Sequence, residues 1–187
     1  MKPRTRRDAL LALGVFAWGV AALANTAVEV PLPGEVAAEV VGARLQGRST
    51  LRFLGLRIYD ARLWRGAVPV GDDWAATPFA LEMQYARALK GEDIAERSLK
   101  EMRRLGDVPA ASATAWLAQM KQIFPDVKAG DRITGVNRPG EGVRFFLNGS
   151  LRGEPRDTEF ARLFFGIWFS PRTSEPALRL ALLGSGS

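Results

Sequence analysis

Tyr59 and Tyr85 are the only tyrosines in this 187-residue chain, which has neither histidine nor cysteine. Polar chemistry therefore falls to two phenols, the serines and threonines, the carboxylates, and the lysines and arginines. Without an imidazole or a thiol there is no Ser-His or Cys-His nucleophile, no ordinary zinc site and no histidine-ligated haem. What remains is hydrogen bonding and anion recognition. A phenol can donate to a ligand oxygen, and the planar fork of an arginine gives two parallel hydrogen bonds to a carboxylate. No metal and no cofactor is expected.

Both tyrosines fall in stretches that read as strands. "PFALEMQYA" alternates, with Phe79, Leu81, Met83 and Tyr85 on one face and Ala80, Glu82, Gln84 and Ala86 on the other. Residues 50–64, "TLRFLGLRIYDARLW", are rich in β-formers on both sides of Gly55, which reads as a bulge or bend, and residues 36–45 read as a further strand. Two helices follow. Asp93 is placed to cap "IAERSLKEMRRL", which stops at Gly106, and the second, around "SATAWLAQMKQIF", ends at Pro125. "DRITGV" and "GVRFFLNG" return as strands, and Asn148-Gly149 is a two-residue turn into "SLRG".

The last segment is the most apolar. Phe160, Leu163, Phe164, Ile167 and Trp168 recur at helical spacing behind a candidate N-cap, Asp157, while Phe165 and Phe169 widen the face beyond one stripe. Ser170-Pro171 ends that helix. Thr173 or Ser174 is placed to cap a shorter one through Leu183, closed by Gly184. Strands and helices do not alternate regularly, so the class is α+β with a mainly antiparallel sheet.

The N-terminus has a different character. Lys2, Arg4, Arg6 and Arg7 precede an apolar run from Ala9 to Ala24 that closes on Ala22-Leu23-Ala24, the layout of a cleaved signal peptide. Residues 1–24 are thus expected to be removed by a Sec or twin-arginine route, leaving residues 25–187 as one domain in a bacterial periplasm. That removal takes four basic residues and one acid from 26 Lys+Arg and 20 Asp+Glu, and the net charge falls from +6 to +3. Little then supports nucleic-acid binding. No later apolar run approaches the ~20 residues of a membrane span, so no stable membrane insertion is expected after cleavage.

Several motifs, in order, resemble a known family. "LRFLGLRIYDARLW", "FPDVKAGDRITGVNRPGEGVRFFLNGSLRG" and "FFGIWFSPRTSEPALRLALLG" together resemble the chalcone isomerase fold, and within it the exported chalcone-isomerase-like proteins of bacteria. The resemblance covers roughly residues 40–184. It implies an open-faced β-sandwich, with a large antiparallel sheet, helices layered on it, and a cleft between them for a flat or elongated apolar ligand.

Two functions are known on that fold. Its enzymes cyclise chalcones, and non-catalytic relatives bind fatty acids through an arginine and a tyrosine. In the register of the resemblance, Gly91-Glu92-Asp93-Ile94 puts Ile94 where the enzymes carry their tyrosine. Arg97 stands for their lysine, Glu101 for their asparagine, and their threonine falls near Leu54. These departures favour binding over catalysis. For the anion anchor the resemblance implies Arg52 first and Arg44 in reserve, with Tyr59 or Tyr85 as second donor. Arg52 and Tyr59 share a face only if Gly55 marks a bulge. Glu82 could pair with a cleft arginine and compete with a ligand. Phe79, Met83, Trp116, Met120 and Phe164 would line the cleft, with "FARLFFGIWF" as its lid or wall.

Three readings follow. The first is a monomeric periplasmic carrier for a fatty acid or similar apolar carboxylate. The second is an isomerase or lyase acting on an enone-like molecule through Arg52, a tyrosine and Lys90 or Lys100. The third is a structural protein whose cleft is filled by side chains. The volume of the cleft separates them.

Overall fold

The structure, a computed structural model, describes residues 30–184. The calls on residues 1–24 lie outside them. The architecture below is that of the unit beginning at Leu32.

Six strands form one antiparallel sheet whose spatial order follows the chain: β1 Arg44–Phe53, β2 Leu56–Arg65, β3 Phe79–Tyr85, β4 Arg132–Arg138, β5 Gly142–Leu147 and β6 Ser150–Gly153. A short helix, α1 (Gly34–Glu39), precedes them. Helices α2 (Gly91–Leu105) and α3 (Ala110–Ile123) separate β3 from β4, and α4 (Thr158–Phe169) and α5 (Pro176–Leu183) close the unit. This is the α+β fold expected, a large antiparallel sheet with helices layered on it.

The alternation in the strands decides which face is covered by what. The register pairs Ala61 with Met83, Met83 with Ile133 and Ile133 with Leu147, so these residues share one face. That face packs into the core with α4. The other face carries Arg62, Glu82 and Thr134 in one row. It mixes buried apolar residues, Trp64, Ala80 and Val136, with a network of polar bonds. Glu82 accepts from Arg62 Nη1 at 2.7 Å and Trp64 Nε1 at 2.8 Å, and Glu35 of α1 accepts from Thr134 Oγ1 at 2.8 Å and Arg132 Nη2 at 3.0 Å. Such buried carboxylates are tolerable because each has charged or hydroxyl donors.

Helix α4 is buried on nearly all sides, which accounts for its excess aromatics. Asp157 caps it as expected, its Oδ1 accepting from the Phe160 amide at 2.9 Å. Phe165 and Phe169 stand edge-on to Phe79 at centroid distances of 4.7 and 5.2 Å. Gly135 on β4 makes room for Phe165, since a Cβ there would come within 3.3 Å of the Phe145 and Phe165 rings.

Three local expectations need correction. Residues 36–45 are not a strand: most of the stretch is helix α1 and the turn after it, and β1 begins only at Arg44. Gly55, read as a bulge or bend, is a bend and not a bulge. With Leu54 (φ 49°) and Gly55 (φ 78°) it forms a two-residue hairpin turn of the kind that needs positive φ at both positions. A register shift does occur nearby, where Leu51 pairs with Tyr59 but Arg52 with Arg57, leaving Ile58 as the extra residue. Finally, α2 starts at Gly91 with Lys90 at the cap position, so Asp93 lies in its first turn.

Candidate functional site

The bulge at Ile58 matters because it opens onto a cavity of about 250 Å3 between sheet and helices. Extra residues in a strand turn neighbouring side chains toward the same side, and both Ile58 and Tyr59 line the space. The sheet contributes Leu51, Met83, Tyr85 and Ile133 as well, and α4 supplies Phe164, Ile167 and Trp168. The third wall is α2, whose Ile94, Arg97, Ser98 and Glu101 recur at i, i+3, i+4 and i+7 and so occupy one helix face. Asp93, Ser174 and Glu175 complete the polar rim.

Helix α2 is held in place by its first residue. The Gly91 amide donates to Asp126 Oδ1 at 2.9 Å, and the Gly91 Cα lies so close to the chain after α3 that a Cβ would sit 2.0 Å from the Phe124 carbonyl oxygen. Only glycine fits there, so the position of the whole wall depends on it.

The two tyrosines meet inside. Their rings stand edge-on, 6.0 Å apart. Tyr59 Oη accepts from Trp168 Nε1 at 2.9 Å, and its own hydrogen finds no acceptor among the described residues. The Tyr85 hydroxyl makes no hydrogen bond to any described residue, although Tyr85 is buried. Burial pushes both phenols above the ordinary tyrosine range; for Tyr59 the Trp168 bond works against that push, and for Tyr85 the neighbouring Tyr59 adds to it. Both are therefore neutral at physiological pH, with hydrogens available to a guest oxygen.

Charge lies at the mouth. Glu101 is buried, forms an ion pair with Arg97 Nη2 at 2.8 Å and accepts a hydrogen bond from Arg104 Nη1 at 3.3 Å. Arg97 is mostly exposed and turns one edge of its guanidinium to Glu101. Among the described residues no cluster of three or more carboxylates could hold a metal, and no helix is long and apolar enough to cross a membrane.

Of the residues singled out from sequence, Tyr59, Tyr85, Met83 and Phe164 line this cavity together. Arg44 and Arg52 do not: both are exposed, and the pairing puts Arg52 on the face opposite Leu51. Trp116 and Met120 sit in the core outside the lining, where Trp116 Nε1 donates to Asp157 Oδ2 at 2.9 Å. Phe79 likewise packs under α4. Glu82 faces the opposite side of the sheet. The family register had already put Ile94, Arg97 and Glu101 at functional positions, and the signal that could have promoted them is their shared helix face with Ser98. Three residues of "FARLFFGIWF", Phe164, Ile167 and Trp168, wall the cavity, and its other aromatics are ordinary core.

Residues 65–184 match a family model described as chalcone isomerase-like. The crystal structure of a fatty-acid binding protein from Arabidopsis thaliana has the same fold, with a TM-score of 0.61 and 12% identity over 76% of this chain and 87% of that one. At that identity the likeness concerns the fold. No curated protein matches the sequence.

Proposed function

The chain belongs to the chalcone isomerase-like family, and from that premise we propose that it is a non-catalytic binding or carrier protein for a fatty acid or similar apolar carboxylate. The observation that carries this reading is the pair of neutral phenols, Tyr59 and Tyr85, whose hydrogens find no acceptor among the described residues, inside a mostly apolar cavity with a polar rim. A guest with an acyl chain and an acceptor oxygen satisfies both. Arg97 at the rim is the cation available to a carboxylate, and Arg52 and Arg44 stay on the surface. The fatty-acid binding protein of the same fold supports the ligand class. Export to the periplasm after cleavage near Ala24, and action as a monomer, belong to the same proposal.

The cavity also sets a length. At roughly 30 Å3 for a water-sized group, 250 Å3 holds on the order of eight methylenes. Affinity for straight-chain acids should therefore rise about 0.8 kcal/mol per methylene and level off near that length. Calorimetric titration of an acid series and its methyl esters checks this. Tyr85→Phe should weaken both series about fivefold, the worth of one hydrogen bond. Failure of every acid and ester to bind the parent protein overturns the carrier reading.

The phenol pair also favours one alternative. Two neutral donors would polarise the carbonyl of an enone, as an isomerase or lyase requires. Against this, Ile94 puts an apolar side chain on the facing wall, so the expected result with a chalcone is no cyclisation above background. Turnover that is lost in Tyr85→Phe would decide for the enzyme.

A further inference from the structure

Beyond the cavity, the β1–β2 hairpin continues into solvent, and its tip has an unusual composition. Phe53, Leu54 and Leu56 are 60%, 85% and 53% exposed, three large apolar residues around a two-residue turn. None of them is needed for the core. Exposed hydrophobics scattered singly are ordinary, but a contiguous cluster on a protrusion marks a docking site.

The surroundings of the tip indicate what it meets. Arg52 and Arg57 flank the apolar residues directly. Arg87 lies beside the tip end of the hairpin, one residue after Ala86, whose amide donates to the Ile58 carbonyl at 2.9 Å. Arg52 and Arg87 form no ion pair among the described residues, and the only acid between residues 50 and 60 is Asp60, which Arg57 holds with a hydrogen bond of 3.0 Å. An apolar tip within a basic collar complements the layering of an anionic bilayer, where acyl chains lie beneath negative headgroups.

The tip is also continuous with the cavity. Leu51 and Phe53 lie two apart on β1 and so on one face, and Leu51 and Ile58 line the cavity. A strip of apolar side chains thus runs from the cavity to the exposed end of the hairpin.

We infer that the β1–β2 hairpin is a peripheral membrane-docking element, which inserts Phe53, Leu54 and Leu56 among lipid chains while Arg52 and Arg87 engage anionic headgroups. Docking does not itself require a ligand. That it lets an acyl chain pass along the Leu51–Phe53 strip rests on the carrier reading above.

Because the chain has no cysteine, a single one reports its own surroundings. Leu54→Cys carrying an environment-sensitive fluorophore is mixed with vesicles of phosphatidylcholine, with and without phosphatidylglycerol. Val68→Cys, exposed in the loop after β2 at the far end of the same hairpin, serves as control. The expected result is a blue shift at position 54 that is strong on anionic vesicles and weak on neutral ones, with none at position 68. Adding Arg52→Gln and Arg87→Gln should weaken partitioning at least tenfold, at about fivefold per arginine. Phe53→Ser with Leu56→Ser should weaken it at least a hundredfold. All these side chains are exposed, and unchanged thermal unfolding verifies that the variants fold.

A position-54 label that stays wet on anionic vesicles overturns the proposal. So does one already blue-shifted in buffer, because protein and not lipid would then cover the tip. Both readouts are taken without ligand. Docking without acid binding would sink the carrier reading alone, and acid binding with a wet tip would sink the docking alone.

Discussion

Arg97 and Glu101 sit one helical turn apart and 2.8 Å from each other at the mouth of the cavity. A guest carboxylate must share Arg97 with a side chain that already holds it. The balance between them is testable in both directions. Arg97→Ala should weaken an acid ten- to a hundredfold, the usual worth of a hydrogen bond to a charged group, and leave its methyl ester nearly unaffected. Glu101→Gln should instead tighten the acid severalfold by releasing the guanidinium. Since Glu101 is buried against two arginines, unfolding has to be followed alongside binding. The tyrosines give a second handle. Their pKa is raised by burial in the folded state, so the unfolded chain ionises first. Their contribution to stability is whole below about pH 10, the ordinary tyrosine value, and declines as pH rises above it. Denaturant titrations across that range should show the decline, and it should flatten in the double variant Tyr59→Phe, Tyr85→Phe.

Among the elements, α2 has an exacting placement, because its first residue touches the backbone after α3. Gly91→Ala should cost about 1–3 kcal/mol, as overpacking does, read as a lower denaturant midpoint. It should also weaken ligands, since Ile94, Arg97 and Ser98 move with the helix. How far such elements can be read from sequence depends on what signals them. Helix α4 declared itself through the Asp157 cap and the Ser170-Pro171 stop, and the strand around Met83 through strict alternation. Helix α1 did not, because six residues are too few to show a period and the valines on either side imitate a strand. The β1–β2 turn was masked by Leu54, a residue that seldom adopts positive φ. The reading of Gly55 as a bulge or bend thus holds for the bend, and the bulge lies at Ile58. The site was legible where it rests on the strands, in Tyr59, Met83 and Tyr85. It was less so on α2, where the exposed arginine of a surface helix looks like any other until the helix is set against the sheet.

On the scale of the whole unit, the two faces of the sheet have been put to different uses. One is covered in part by α1, with paired charges set among buried apolar residues, and the other carries the cavity under α2 and α4. The order of the strands adds a consequence for how the chain acquires its shape. Spatial order follows sequence order, so β1–β2, β4–β5 and β5–β6 close over short turns and β2–β3 over a modest loop. Only β3 and β4 must find each other across residues 86–131, which contain α2 and α3. Closing that long segment is the entropically demanding event of folding, since nonlocal pairing has to precede the contacts that reward it. One wall of the cavity is carried inside the very segment being closed. A chain still in two halves has no cavity, so it has nothing with which to hold a guest. A ligand of that cavity would bind only the finished molecule and stabilise it by mass action.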